Sequence, residues 1–191
     1  ILQPDTIAPE WWAGAPSVVR DSEGIFWLAC RMRSPELERG LRGYEIRILR
    51  SEDGIHFQKV YSIKRDDVPI PGFERPALQI DPHTGKFKLY GCGPWQGGPW
   101  AIIKFDDADS PEKFVGSTAR PVIQTQALMY ERDVPPAEFK DPVIVYGAGA
   151  WHCYVIGVVR RTERTFHFIS ENGELWRPAG NPYEPILHLQ D

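Results

Sequence analysis

The chain has 191 residues, 42% of them hydrophobic and 12% aromatic, which suits a globular body with a sizeable core and argues against a disordered chain. Its formal net charge of −4 leaves no cationic footprint of the kind that nucleic-acid binding requires. No apolar run approaches the roughly 18 residues of a bilayer-crossing helix, so no membrane partner is predicted, and the compartment, secreted or cytoplasmic, stays open.

With 18 Pro, 17 Gly and seven Trp against two Met, the composition predicts an all-β chain of many short strands joined by turns. Residues 1–14 lack a basic start followed by an apolar run. They begin with Ile1 rather than Met, which predicts a processed or trimmed end, and they carry Trp11 and Trp12 in "PEWWAGAP". Strands are predicted over 16–20 and 25–31, with Gly24 in the turn between them. Two more follow at 44–50 and 56–61, joined by Asp53-Gly54, a strong hairpin signal because both residues tolerate positive φ. The stretch 31–50 is locally basic but interleaved with Glu, as is "VVRRTER" (158–164), and each reads as a solvated strand face or loop. Segment 62–73 is a loop rich in Pro and charge.

A second unit opens with "RPALQIDPHTGKFKLYGC" from Arg75, turning at Gly85, and continues through "GPWQGGPW", where Trp95 and Trp100 flank a Gly-rich turn. "FDDADSPEKF" (105–114) makes a longer turn, and 120–139 is a second charged, Pro-rich loop. The third unit, "DPVIVYGAGAWHCYVIG" from Asp141, turns at Gly149 and runs on to "FISENGELWRPA" (168–179) with its Asn172-Gly173 hairpin signal.

These three units are diverged repeats. Pro16, Pro76 and Pro142 are 60 and 66 residues apart, and Phe57, Phe114 and Trp176 are 57 and 62 apart. Ser51, Asp53 and Gly54 are echoed by Ser170, Asn172 and Gly173. A four-stranded unit repeated at this period is the signature of a β-propeller blade, giving blades at about 10–61, 73–119 and 139–180 of one domain spanning 1–191. A sandwich of twelve strands is the rival architecture, but it does not require turns in register. Propellers close with about four to eight blades, so three predict an incomplete ring whose missing blades come from another segment or chain.

In a propeller the first strand of each blade lines the channel. The residues before it here stand in "AGAPSV", "GFERPAL" and "FKDPVIV". Proline suits a strand's first position and biases the residue before it to an extended conformation. Ala15, Arg75 and Asp141 are thereby expected at the funnel mouth, with Glu74 and Lys140 one step behind. At these positions, over about three blades, the chain resembles the five-bladed propeller glycoside hydrolases of family 43, the arabinanases and β-xylosidases, with relatives in families 32 and 130. In family 43 a general-base Asp precedes a Pro in the first blade, an Asp-Pro in the third blade tunes the acid, and a Glu in the fourth blade is the acid. Asp141-Pro142 matches the third-blade pair. Ala15-Pro16 falls where the first-blade pair stands, without its carboxylate, and the fourth blade lies beyond Asp191. Glu74, two before Pro76, is spaced like the family 32 acid in Glu-Cys-Pro, although there that motif follows the Asp-Pro.

The resemblance implies a carbohydrate ligand and a glycoside hydrolase. The loss at Ala15 leaves open a non-catalytic glycan-binding or protein-interaction propeller. Hydrolysis needs a carboxylic acid and a second carboxylate roughly 5–9.5 Å apart, and Asp141 and Glu74 are the candidates. Arg75 and Lys140 are candidate charge partners or substrate ligands. Arg31 and Arg33 are candidates for sugar hydroxyls or a carboxylate, against the plain reading of surface arginines on a strand. Trp11 or Trp12 offers a ring on which sugar C–H faces stack, against sealing the seam of the ring, and Trp95 with Trp100 offers a rim, against simple packing of a β-bulge. Cys30, Cys92 and Cys153 lack metal or disulfide spacing and are expected as buried thiols, and His152 as a hydrogen-bonded strand histidine. There is no serine-nucleophile elbow and no phosphate cradle. No cofactor or metal is predicted, although some relatives carry a channel calcium.

Overall fold

The computed structural model describes residues 2–125, 138–159, 161–180 and 186. Part of the predicted loop 120–139 lies outside them. Among the described residues, twelve strands form three four-stranded antiparallel sheets, each in chain order. The first holds β1 (Trp12–Arg20), β2 (Phe26–Arg33), β3 (Gly43–Ser51) and β4 (Gln58–Lys64). The second holds β5 (Ala77–Ile80), β6 (Phe87–Pro94), β7 (Trp100–Lys104) and β8 (Arg120–Ile123). The third holds β9 (Glu138–Gly147), β10 (Ala150–Val159), β11 (Thr162–Ser170) and β12 (Arg177–Pro178). Among the described residues the helical elements are short 3-10 turns.

The predicted hairpin chemistry is what joins the strands. Gly24, Gly85 and Gly149 adopt φ of 88°, 71° and 80°, and Gly54 and Gly173 adopt 75° and 74°, the left-handed region that glycine enters without steric cost. The repeat extends to hydrogen bonds. The Ser51 hydroxyl accepts the Gly54 N–H at 3.0 Å while Asp53 Oδ1 accepts from Ile55 and His56. Likewise the Ser170 hydroxyl accepts the Gly173 N–H at 2.9 Å while Asn172 Oδ1 accepts from Glu174 and Leu175.

The sheets stack face to face. Trp27, Ile46 and Ile48 of the first meet Leu78, Leu89, Ile103 and Phe105. Tyr90, Cys92 and Ile102 on the second sheet's other face meet Phe139, Trp151, Cys153 and Phe166. The middle sheet is therefore covered on both faces, which explains the unbroken burial of β6, Lys88 included. Each large apolar side chain buried this way contributes about 1.5–3 kcal/mol. The first strands lie innermost: the Ser17 hydroxyl in β1 donates to the Leu78 carbonyl of β5 at 3.3 Å and accepts the Leu78 N–H at 2.9 Å. The outward face of the third sheet leaves Val143 and Val145 exposed.

Two expectations about the prolines change. β1 and β9 begin several residues before Pro16 and Pro142, and Ala15 and Asp141 are not extended but have φ of 52° and 54°. The cause is a β-bulge in each strand. The register slips between Gly14 and Ser17, and β9 slips opposite Tyr154–Ile156, so each proline sits where no ladder bond is needed. Only Arg75-Pro76 precedes its strand as expected.

Candidate functional site

The bulge in β9 determines what the site contains. In regular strand, successive side chains point to opposite faces, yet Lys140 and Asp141, neighbours in sequence, both line one open pocket of about 410 Å³. The left-handed turn at Asp141 re-aims the second of them, a conformation that Asp tolerates better than most residues. The pocket is completed by Arg31 and Arg33 of β2, Arg39 and Gly40 of the β2–β3 loop, Glu74, Trp100, Glu138 and Val158.

Cys92, on the face that the second sheet turns toward the third, holds the carboxylate-bearing segments in place. Its carbonyl accepts the Glu74 N–H at 2.9 Å. Its thiol sits 3.8 Å from the Arg75 carbonyl and accepts the Asp141 N–H at 3.3 Å. Burial pushes this thiol up to about 12, the Asp141 N–H only partly offsetting it, so it acts here as a hydrogen-bonding group and not as a nucleophile. Cys30, Cys92 and Cys153 are all buried free thiols.

Glu74 and Asp141 each have an arginine. Arg31 Nη1 forms an ion pair with Glu74, and Arg75 Nε stands 3.9 Å from Asp141 Oδ1. Lys140 donates to Glu163 at 2.6 Å. Arg31 is almost fully buried, and its guanidinium lies 4.9 Å from the centre of the Trp12 ring. That ring rests on Gly14, where a Cβ would come within 2.2 Å of it. Burial, reinforced by the neighbouring Arg33 charge, lowers the Arg31 guanidinium to about 10.

The sequence candidates separate accordingly. Glu74, Asp141, Lys140 and Arg31 line the pocket, Arg75 reaches it through Asp141, and Trp12 through Arg31. Trp11 lines a different surface depression with Asp5 and Tyr44, and Trp95 packs against the core between the first two sheets. Trp100, its partner across the Gly-rich turn, enters the pocket instead. Arg39 and Glu138 carry no local signal, because their places depend on a loop and on the strand that opens the third sheet. Arg33 was legible: two residues from Arg31 on a strand, it shares that face. His152 is hydrogen-bonded through both ring nitrogens, to His167 at 2.9 Å and to the Gly147 carbonyl at 3.1 Å. Among the described residues no cluster of three or more His, Cys, Asp or Glu is placed to hold a metal ion, and no helix is long and apolar enough to cross a membrane.

No protein-family model and no curated protein matches the chain. Solved structures do. A putative glycoside hydrolase from Parabacteroides distasonis aligns with a TM-score of 0.66 at 13% identity over 97% of this chain and 58% of that one. The α-L-arabinanase of Penicillium chrysogenum, complexed with arabinobiose, gives 0.60 at 18% identity over 91% and 50%. A family 43 glycoside hydrolase from Xanthomonas citri, complexed with xylotriose, gives 0.55 at 18% identity over 80% and 41%. All are propeller glycoside hydrolases, and at this identity the likeness shows the fold, the four-stranded antiparallel blades of a β-propeller. The chain spans about half the length of these structures.

Proposed function

We propose that this chain contributes three blades to a five-bladed, carbohydrate-active propeller, which takes a glycan into the pocket between Glu74 and Asp141 and, in the whole protein, hydrolyses a glycosidic bond. One observation carries the reading: two carboxylates from different blades, each engaged by an arginine, line a single open pocket beside the innermost strands. Paired carboxylates facing one cavity are what glycoside hydrolysis requires, and the solved structures the chain aligns with are named as glycoside hydrolases, one of them putative. Asp141, with Arg75 beside it, acts as the electrostatic stabiliser. Glu74, tied to Arg31, is the candidate acid that protonates the leaving oxygen, or else a ligand for sugar hydroxyls. Lys140 and Arg31 supply donors, and the exposed ring of Trp12 supplies a stacking surface. The reading calls on no cofactor, and the rest of the ring comes from a further segment or a second chain.

A second reading, glycan binding without turnover, is favoured by Ala15. It occupies the same left-handed bulge position in β1 as Asp141 does in β9, with a methyl group where the resemblance to family 43 implies a carboxylate. Turnover and binding of arabinan-, xylan- and mannan-derived oligosaccharides by the full protein separate the two. Hydrolysis predicts that Asp141→Asn lowers kcat by roughly 100-fold or more while glycan affinity persists. Binding alone predicts no turnover in any variant and loss of affinity on Glu74→Gln. A pure enzyme that stays active with both residues replaced would sink the site assignment.

A further inference from the structure

We infer that the glycan this pocket accepts carries a carboxylate: the ligand is an acidic sugar, read by Arg33 and Arg39. The inference rests on the pocket being the glycan site and concerns only which sugar fits it.

The argument begins with unmet donors. Among the described residues, the buried side-chain polar atoms without a hydrogen-bond partner include Arg31 Nε and Arg33 Nε, both in this pocket. Each guanidinium carries five N–H donors and no acceptor. Arg31 spends one nitrogen on Glu74. Arg33 forms no ion pair among the described residues, although its Nε is shut off from water. The Arg33 guanidinium thus lines the pocket with no carboxylate of the described residues fixed on it, and its terminal N–H groups are the donors for which a ligand can supply acceptors.

The charges then select the kind of acceptor. Four cations and three carboxylates line the pocket. Glu74 is matched by Arg31, Asp141 by Arg75 from outside the lining, and Lys140 by Glu163, also outside it. What remains is Arg33 and Arg39 against Glu138, two guanidinium groups facing one carboxylate. Arg31 and Arg33 also stand two apart on β2 and repel, part of why the Arg31 guanidinium is depressed. A neutral hydroxyl would satisfy donors and leave this imbalance in place. An anionic substituent removes both, and the planar carboxylate matches the guanidinium fork in a way that a lysine ammonium would not need. A sulfate ester offers the same charge on a tetrahedral group, so the test must part the two.

Affinities of the full chain are measured for tri-galacturonate and for a glucuronate-bearing xylo-oligosaccharide, each beside its methyl ester, with a sulfated galactose trisaccharide as the third arm. At least one free acid is expected to bind about tenfold or more tightly than its methyl ester. That preference should weaken as sodium chloride rises. Arg33→Gln should erase it, and Arg33→Lys, which keeps the charge without the fork, should restore part of it. Arg39→Gln, on an exposed loop, gives the same reading should replacement of Arg33 disturb folding. Equal affinity for acid and ester, or a preference unmoved by both arginine variants, overturns the proposal while the glycan site stands. Arginine-dependent binding of the sulfated sugar alone overturns the carboxylate. If no sugar in this set or among the neutral oligosaccharides binds, the glycan site falls with it.

Discussion

Cys92 receives hydrogen bonds from two blades, and the groups it receives are the backbones of the two candidate carboxylate residues. Cys92→Ala leaves the Asp141 N–H facing an apolar void, a loss of roughly 1–3 kcal/mol for the stranded donor. Chemical denaturation should show that loss. Cys92→Ser, which keeps an acceptor, should recover part of it. Glycan affinity is expected to fall with the alanine variant too, because the Asp141 bulge loses its anchor. Burial of this thiol was legible in the sequence, since a cysteine between two strand glycines with no ligand-spaced partner defaults to the core. Its role was not, because the donor lies 49 residues away. The conformation of Asp141 was misread for a related reason. Proline restricts the residue before it to a few regions of backbone space, and the choice among them was made by the register of the neighbouring strand, which local sequence does not carry.

The turns make a matched experiment at the level of elements. Gly85 and Gly173 have nearly the same φ, 71° and 74°. A Cβ at Gly85 meets nothing within 4 Å, whereas one at Gly173 comes within 2.7 Å of the Tyr90 hydroxyl. That hydroxyl donates to the Gly173 carbonyl at 2.7 Å and so joins the second sheet to the third. Gly85→Ala should therefore cost only the backbone strain, about 1–2 kcal/mol, and Gly173→Ala clearly more. Thermal unfolding of the two proteins checks the difference, and equal losses would mean that Tyr90 moves aside freely. Turns and repeats were readable because their chemistry is local: an Asp or Asn followed by Gly dictates its own geometry. The two tryptophans around "QGG" show where that ends. They flank the turn symmetrically in sequence, but the bend at Gln96, with φ of 51°, gives Trp95 to the core and Trp100 to the pocket.

Across the whole molecule, the seam between the second and third sheets combines the apolar core with buried charge. Lys104, completely buried, donates to Glu174 at 3.0 Å and to Asp107 at 2.5 Å, and Arg120 donates to the other Glu174 oxygen at 3.0 Å. Burial opposes ionisation of Glu174, but Lys104 and Arg120 outweigh it and hold the carboxyl below its ordinary 4.5. A group depressed on folding contributes stability that is complete above its unfolded value and lost as pH falls through the folded one. The melting temperature should accordingly decline below about pH 4.5, and Glu174→Gln should start lower at neutral pH and decline less steeply. An unchanged acid profile in that variant would remove Glu174 from the account. The strand order has a consequence in time as well. Every sheet is a meander in which each strand pairs with its neighbours in the chain, so the loops to be closed are short and their entropic cost is small. Each blade can zip up by itself as it leaves the ribosome, and only the docking of one finished blade on the next has to wait for more chain.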